Sequence, residues 1–124
     1  MNPAFLPGQH VIDSYASGGF VFGGMSHRGS LLMLPSGVRA WQPQSVADIT
    51  EESLTALFAE PEGTIDFLII GTGPELAPMS PELRRKLAQA GIRHEPMATS
   101  VAISTYNILL GERRRVAVAL LAIS

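Results

Sequence analysis

The chain has no cysteine, which excludes disulfides, thiolate zinc sites and cysteine nucleophiles, and leaves stability to core burial. At 124 residues, area scaling buries roughly two-thirds of the unfolded surface, enough for one core without a staple. The whole chain, residues 1–124, therefore reads as a single domain. Charge is scarce as well: 9 Lys and Arg against 11 Asp and Glu give a net charge of -2, with no acidic or basic tail. That balance argues against a nucleic-acid binder relying on a broad basic field. Long apolar runs are also missing. The opening Met1-Asn2-Pro3-Ala4-Phe5-Leu6-Pro7-Gly8 carries neither a charged leader nor a hydrophobic stretch, so no secretory signal and no membrane span are expected, and the location expected is cytoplasmic.

Familiar chemical motifs are absent too. Gly71-Thr72-Gly73 resembles half of a dinucleotide fingerprint, but position 76, where the third glycine belongs, is Leu76, and no lysine follows at P-loop spacing. His10, His27 and His94 lie in separate segments without metal-ligand spacing, so no metal and no cofactor is expected. There is no G-x-S-x-G elbow. The spacing of Asp13, Asp48, Asp66 and Glu95 predicts no catalytic pair.

What is present is a change of hydrophobic period along the chain. The first forty residues alternate with period two and are broken by Ser17-Gly18-Gly19, Gly23-Gly24-Met25-Ser26 and Pro35-Ser36-Gly37. This predicts strands at 10–16, 19–22, 30–34 and 38–41, with Trp41 covering the end of the β region. Thr50 then offers a cap for a helix whose first turn holds Glu51 and Glu52, with Ile49 and Leu54 as a staple and Leu54, Leu57 and Phe58 as its buried stripe. Pro61-Glu62-Gly63 ends that helix, and 65–70 is a buried strand. Ser80 and Pro81 open a second helix that stops at Gly91. Residues 92–97 are extended, at an edge or a strand end because Pro96 cannot donate to a ladder. Thr99 is read as the cap of a third helix ending at Gly111, taken as the left-handed residue. The last segment, 115–123, is apolar on both faces, as in a central strand covered by helices. The fold class expected is α/β: a mixed sheet with a C-terminal βαβαβ region, helices on the sheet faces, and an N-terminal antiparallel β-hairpin region.

Three places invite a functional reading. The strand running into Gly71-Thr72-Gly73 delivers a backbone-exposing turn at the sheet edge, either a tight connection without ligand or a cradle for a small anion or metabolite. The third helix adds Thr99, Tyr106 and Asn107 as polar groups that could orient such a ligand, since a phenol and an amide are costly inside a helix unless partnered. Its strip of Ser100, Ser104, Asn107 and Gly111 is either solvated or a close-packing face. Finally, Arg113 and Arg114, within Glu112-Arg113-Arg114-Arg115, open the last strand at the sheet end opposite the glycine turn if the two strands are parallel. Placed after a helix C-terminus, where cations are favoured, they read as structural or partner-facing. Nucleic-acid binding through them ranks last, one short cluster offering little counterion release. The apolar, glycine-rich N-terminal strands offer an edge for a homodimer.

Taken together, Gly71-Thr72-Gly73, Gly91-Ile92, Glu95-Pro96-Met97-Ala98-Thr99, Ala102, Thr105-Tyr106-Asn107-Ile108-Leu109 and Glu112-Arg113-Arg114-Arg115-Val116 resemble the conserved-domain family that includes mitochondrial NADH dehydrogenase (complex I) assembly factor three, the Mth938-like domain. Tyr15, Phe20, Gly29-Ser30-Leu31 and Trp41 agree more loosely. The resemblance implies an α/β domain with a mixed sheet and an inserted hairpin region, no established enzymatic activity, and no accepted catalytic residues. Mitochondrial relatives act through protein contacts, while bacterial and archaeal ones are largely uncharacterised. Family members often carry an acidic residue where this chain has Ala98, which weakens acid-base chemistry at Thr99. The leading expectation is a non-enzymatic binding or assembly module with an unidentified protein partner. The alternative is an enzyme or small-anion binder at the Gly71 turn.

Overall fold

The computed structural model describes residues 6–123, so the leader reading of the first residues lies largely outside it. In chain order the elements are β1 (Leu6–Pro7), β2 (Ile12–Ala16), β3 (Gly19–Phe22), β4 (Met25–Arg28), β5 (Leu31–Leu34), β6 (Gly37–Ala40), α1 (Thr55–Phe58), β7 (Phe67–Gly71), α2 (Pro81–Gln89), β8 (Arg93–Met97), α3 (Thr99–Gly111) and β9 (Val116–Leu120). One sheet has the order β1-β6-β5-β9-β7-β8, and β2-β3-β4 form a second. β7 runs parallel to both β8 and β9, while β5 meets β9 antiparallel. The α/β class, the mixed sheet, the C-terminal βαβαβ unit and the N-terminal antiparallel region are all as the sequence predicts.

β9 lies in the middle because it is apolar on both faces. Ala117 and Ala119 join Leu32, Leu34, Leu68 and Ile70 under α1 and α2. Val116, Val118 and Leu120 join Leu31, Met33 and Ile69 under α3 and the small sheet. The crossover from β7 through α2 steps outward to β8, and that from β8 through α3 steps back past β7 to β9. Right-handed connections in opposite directions require helices on opposite faces, as found.

Several boundaries depart from expectation for local reasons. The second hairpin turn needs only Gly23 (φ 55) and Gly24 (φ 77), a primed geometry matching strand twist, so Met25 and Ser26 belong to β4 rather than to the turn. Thr50 does open its helix: Ser53 N donates to Thr50 Oγ1 at 3.3 Å and Thr50 N to Ser53 Oγ at 3.0 Å, a reciprocal capping box with serine in the usual glutamate position. The segment then makes a 3-10 turn at Glu52–Leu54 and the single turn of α1. Trp41, buried directly after β6, donates its indole N–H to the Ser53 carbonyl at 2.7 Å and so anchors this segment.

Both ends of α3 also differ. Its N-cap is Ala98, with no side-chain cap bond, because the Thr99 hydroxyl is engaged elsewhere. Its left-handed residue is Arg113 (φ 61), not Gly111. Arg113 N donates to Leu110 O and Arg114 N to Leu109 O, the paired bonds of a Schellman ending. An L-residue held there costs about 1–2 kcal/mol relative to the right-handed region.

Candidate functional site

The carboxyl ends of β7, β8 and β9 meet at one place, where the crevice rule for α/β sheets would put a ligand. Gly71 is required by packing: a methyl there would lie 2.7 Å from Leu120 Cδ2 and 3.0 Å from Thr99 Oγ1. Gly73 is required by conformation, at φ 97. Between them, Thr72 N donates to Met97 O at 2.8 Å. Its hydroxyl donates to Glu75 O at 2.6 Å and accepts from Ala77 N at 3.2 Å.

Thr99 joins all three strand ends. Its N–H donates to Gly73 O at 2.8 Å. Its hydroxyl accepts from Gly73 N at 2.9 Å and donates to Leu121 O at 2.8 Å, and Leu121 N returns to Gly71 O at 2.9 Å. Thr99 is fully buried. The structure thus brings Gly71, Thr72, Gly73 and Thr99 together, and the two N–H groups an anion would use are spent on Met97 and Thr99. Chemically the arrangement is a lock: every polar atom of the Thr99 hydroxyl is satisfied within the fold.

Tyr106 and Asn107 belong to another cluster. They lie about 11 Å further along α3, at 1.5 Å per residue, and face the small sheet. The Tyr106 hydroxyl lies 2.7 Å from Met33 Sδ and 3.2 Å from His10 O, and burial pushes its pKa far above the ordinary phenol value. Asn107 accepts from Ile12 N and donates to Ile12 O, both at 2.8 Å, completing the ladder of edge strand β2 with a side-chain amide. Their costly polar groups are partnered, as expected, but by the N-terminal region: the backbone of His10 and Ile12 and the sulfur of Met33.

The arginines divide. Arg115 binds Asp66, Nη2 to Oδ2 at 2.8 Å, and donates Nη1 to Gly63 O at 2.9 Å, tying the start of β9 to the start of β7. Arg113 and Arg114 are exposed and make no side-chain hydrogen bond or ion pair with the described residues. With β7 and β9 parallel, they stand at the opposite end of the sheet from Gly71, as predicted. Elsewhere, burial and then the Arg84 guanidinium hold the His94 pKa below its ordinary value, Glu95 opposing them. Among the described residues no group of three His, Asp or Glu could hold a metal ion, and no helix is long and apolar enough to cross a membrane.

Sequence reading named the small polar strip through Ser104 but passed over the apolar residues beside it on the outward side of α3. Val101 is 53% exposed and Ile108 62%, with Val11, the neighbour of the strand residue clasped by Asn107, 48% exposed. The signal was available: the thirteen residues from Thr99 to Gly111 include no charged side chain, unusual for a helix with one face in water.

Residues 12–121 match the profile of the family described as a protein of unknown function (DUF498/DUF598). The chain belongs to this family. The bovine (Bos taurus) NADH dehydrogenase [ubiquinone] 1 alpha subcomplex assembly factor 3 is 39% identical over 110 residues, covering 89% of this chain and 59% of the relative. The chain therefore spans little more than half the length of that curated relative. A crystal structure of an outer membrane protein from Bartonella henselae superposes with a TM-score of 0.91 at 39% identity, covering 96% of this chain and 99% of that one. A solution structure of a Bordetella pertussis protein described as a Mth938-like domain gives 0.77 at 29% identity, over 90% of this chain and 85% of that one. The family thus includes the assembly factor, as the residue pattern implies.

Proposed function

We propose that this chain is a non-enzymatic module that binds a protein partner during assembly of a respiratory or other multisubunit complex, complex I being the one named for its bovine relative. One observation carries the reading: α3 presents an uncharged outward side, with Val101 and Ile108 more than half exposed, on a chain 39% identical to an assembly factor. Apolar surface left in water on an ordered helix costs free energy that a partner recovers. The closed network around Thr99 supports the non-enzymatic side, because it leaves the Gly71 turn without free donors. The cytoplasmic location expected from the sequence remains part of this proposal, as does the single domain.

The test is affinity purification of the tagged chain from its own cells, with and without Ile108→Glu. A partner recovered in stoichiometric amount with the native chain, and lost with the variant, is expected. Recovery of the chain alone, with complex I assembling normally after gene loss, would contradict the proposal. An anion at Gly71-Thr72-Gly73 is the lesser reading, requiring the Thr99 to Gly73 bond to open. A thermal-shift screen with phosphates, nucleotides and carboxylates decides it, since native-state binding raises the midpoint.

A further inference from the structure

Resting on that reading, we propose that the outward side of α3 seats an amphipathic helix of the partner, apolar along its middle and carrying carboxylates at both ends. The middle follows from helical spacing: Val101, Ser104 and Ile108 stand at i, i+3 and i+7, in one row. Ser104 is exposed and small, so a second helix can approach closely between the two larger side chains.

The ends follow from charge. At the N-terminus, the first turn has no acidic residue and the N-cap no side-chain bond. The N–H groups of Ser100 and Val101 have no partner among the described residues, and the positive end of the helix dipole is left open. At the C-terminus, Arg113 and Arg114 are exposed and unpaired while Arg115 is committed to Asp66. Glu112 offsets one of the two charges and the negative end of the helix dipole part of the other, leaving a smaller net positive charge at this end. Arg113 also occupies a left-handed position (φ 61) where glycine would be unstrained, so its guanidinium is kept at that point against a backbone cost. From Val101 to Gly111 is about 15 Å of helix, with the two arginines just beyond its end, a span that a partner helix of about three to four turns matches.

This pattern disfavours a second copy of the chain as the occupant. Antiparallel pairing of two α3 helices would set the arginines of each against the open N-terminus of the other. Parallel pairing would set arginine beside arginine. Both juxtapose like charge, whereas a helix with acidic ends meets complementary charge at each.

The experiment places a photo-crosslinking amino acid at position 108 of the full chain in its own cells, and at position 85 on α2 for comparison, and identifies the joined peptides by mass spectrometry. The expected product at 108 is a segment of another protein with apolar residues at helical spacing and Asp or Glu within a turn of each end. Its yield should fall about tenfold with R113E/R114E and about threefold with R113Q/R114Q, while R84E leaves it unchanged. Circular dichroism confirms that each variant is folded. Joining at 108 to another copy of this chain, to lipid, or to a segment without acidic ends would overturn the proposal, as would a yield indifferent to both arginine variants. Joining at 85 but not at 108 overturns the α3 assignment while leaving a protein-binding function standing. No joined protein at either position removes both.

Discussion

Helices α2 and α3 cover opposite faces of one sheet, yet they treat water in opposite ways. α2 turns Leu83 and Leu87 inward and carries Glu82, Arg84, Arg85 and Lys86 in nine residues. Lys86 lies 3.8 Å from Glu51 and 5.5 Å from the centre of the Phe58 ring. α3 also turns its apolar side inward, through Ala102, Ile103 and Tyr106, but has no charge on the outward side. α2 is finished as a surface helix; α3 is left like an interior one. Their first residues differ in the same sense. Ser80 caps α2 with a part-buried local bond, its hydroxyl accepting from Leu83 N at 3.2 Å, whereas Thr99 gives its fully buried hydroxyl to the strand ends behind it.

This contrast orders the expected responses to substitution. Thr99→Val keeps the volume but strands the Gly73 N–H and the Leu121 carbonyl in a buried position. At about 1–3 kcal/mol for each group, the loss should be near ~3 kcal/mol, read from the urea midpoint at constant slope. A loss below ~1 kcal/mol would mean the network is not the lock described. Ser80→Ala, the matching change at the start of α2, should cost only about 1 kcal/mol, the worth of an ordinary cap. If the two cost the same, the distinction between the helix starts fails.

Smaller effects concern strain and titration. Arg113→Gly relieves the left-handed arginine but loosens the unfolded chain, so a net gain of about 0.5–1 kcal/mol is expected; a loss would show that the side chain contributes to the native fold. For His94, burial and Arg84 lower the folded pKa below the ordinary 6.5. The unfolded chain therefore binds the proton more readily. The contribution is fully present above 6.5 and is lost as pH falls through the lowered folded value. A melting temperature that declines between pH 7 and 5, with the slope reduced in His94→Gln, is the expected result; an unchanged slope would assign the acid response to other groups.

The layout of the sheet was legible because it rests on period and punctuation. β9 announced its central place through apolar residues at successive positions, and Ser80-Pro81 with Gly91 bracketed α2. Gly71 was singled out as a place where a ligand could approach closely; within the fold, Leu120 and Thr99 approach it. No spacing rule foretells a partner 28 positions later in the chain. Tyr106 and Asn107 were read as needing partners, and they have them, in His10, Met33 and Ile12. Helical spacing names the face on which such groups stand but not the segment laid against it, and here the small sheet decided. Gly111 was the obvious left-handed stop by conformational preference; α3 does end there, but the left-handed residue is Arg113 (φ 61), two positions later, so a local rule yielded to tertiary placement.

The central claim is that the outward side of α3 is reserved for a partner rather than needed by the fold. The direct measurement pairs the unfolding free energy of Ile108→Glu with the amount of partner retained by the same variant. The account predicts stability within about 0.5 kcal/mol of the native chain, as for an exposed site, together with at least tenfold loss of the partner, while Arg85→Glu on α2 changes neither. A partner retained in full by Ile108→Glu, or a large loss of stability on making it, would contradict the account.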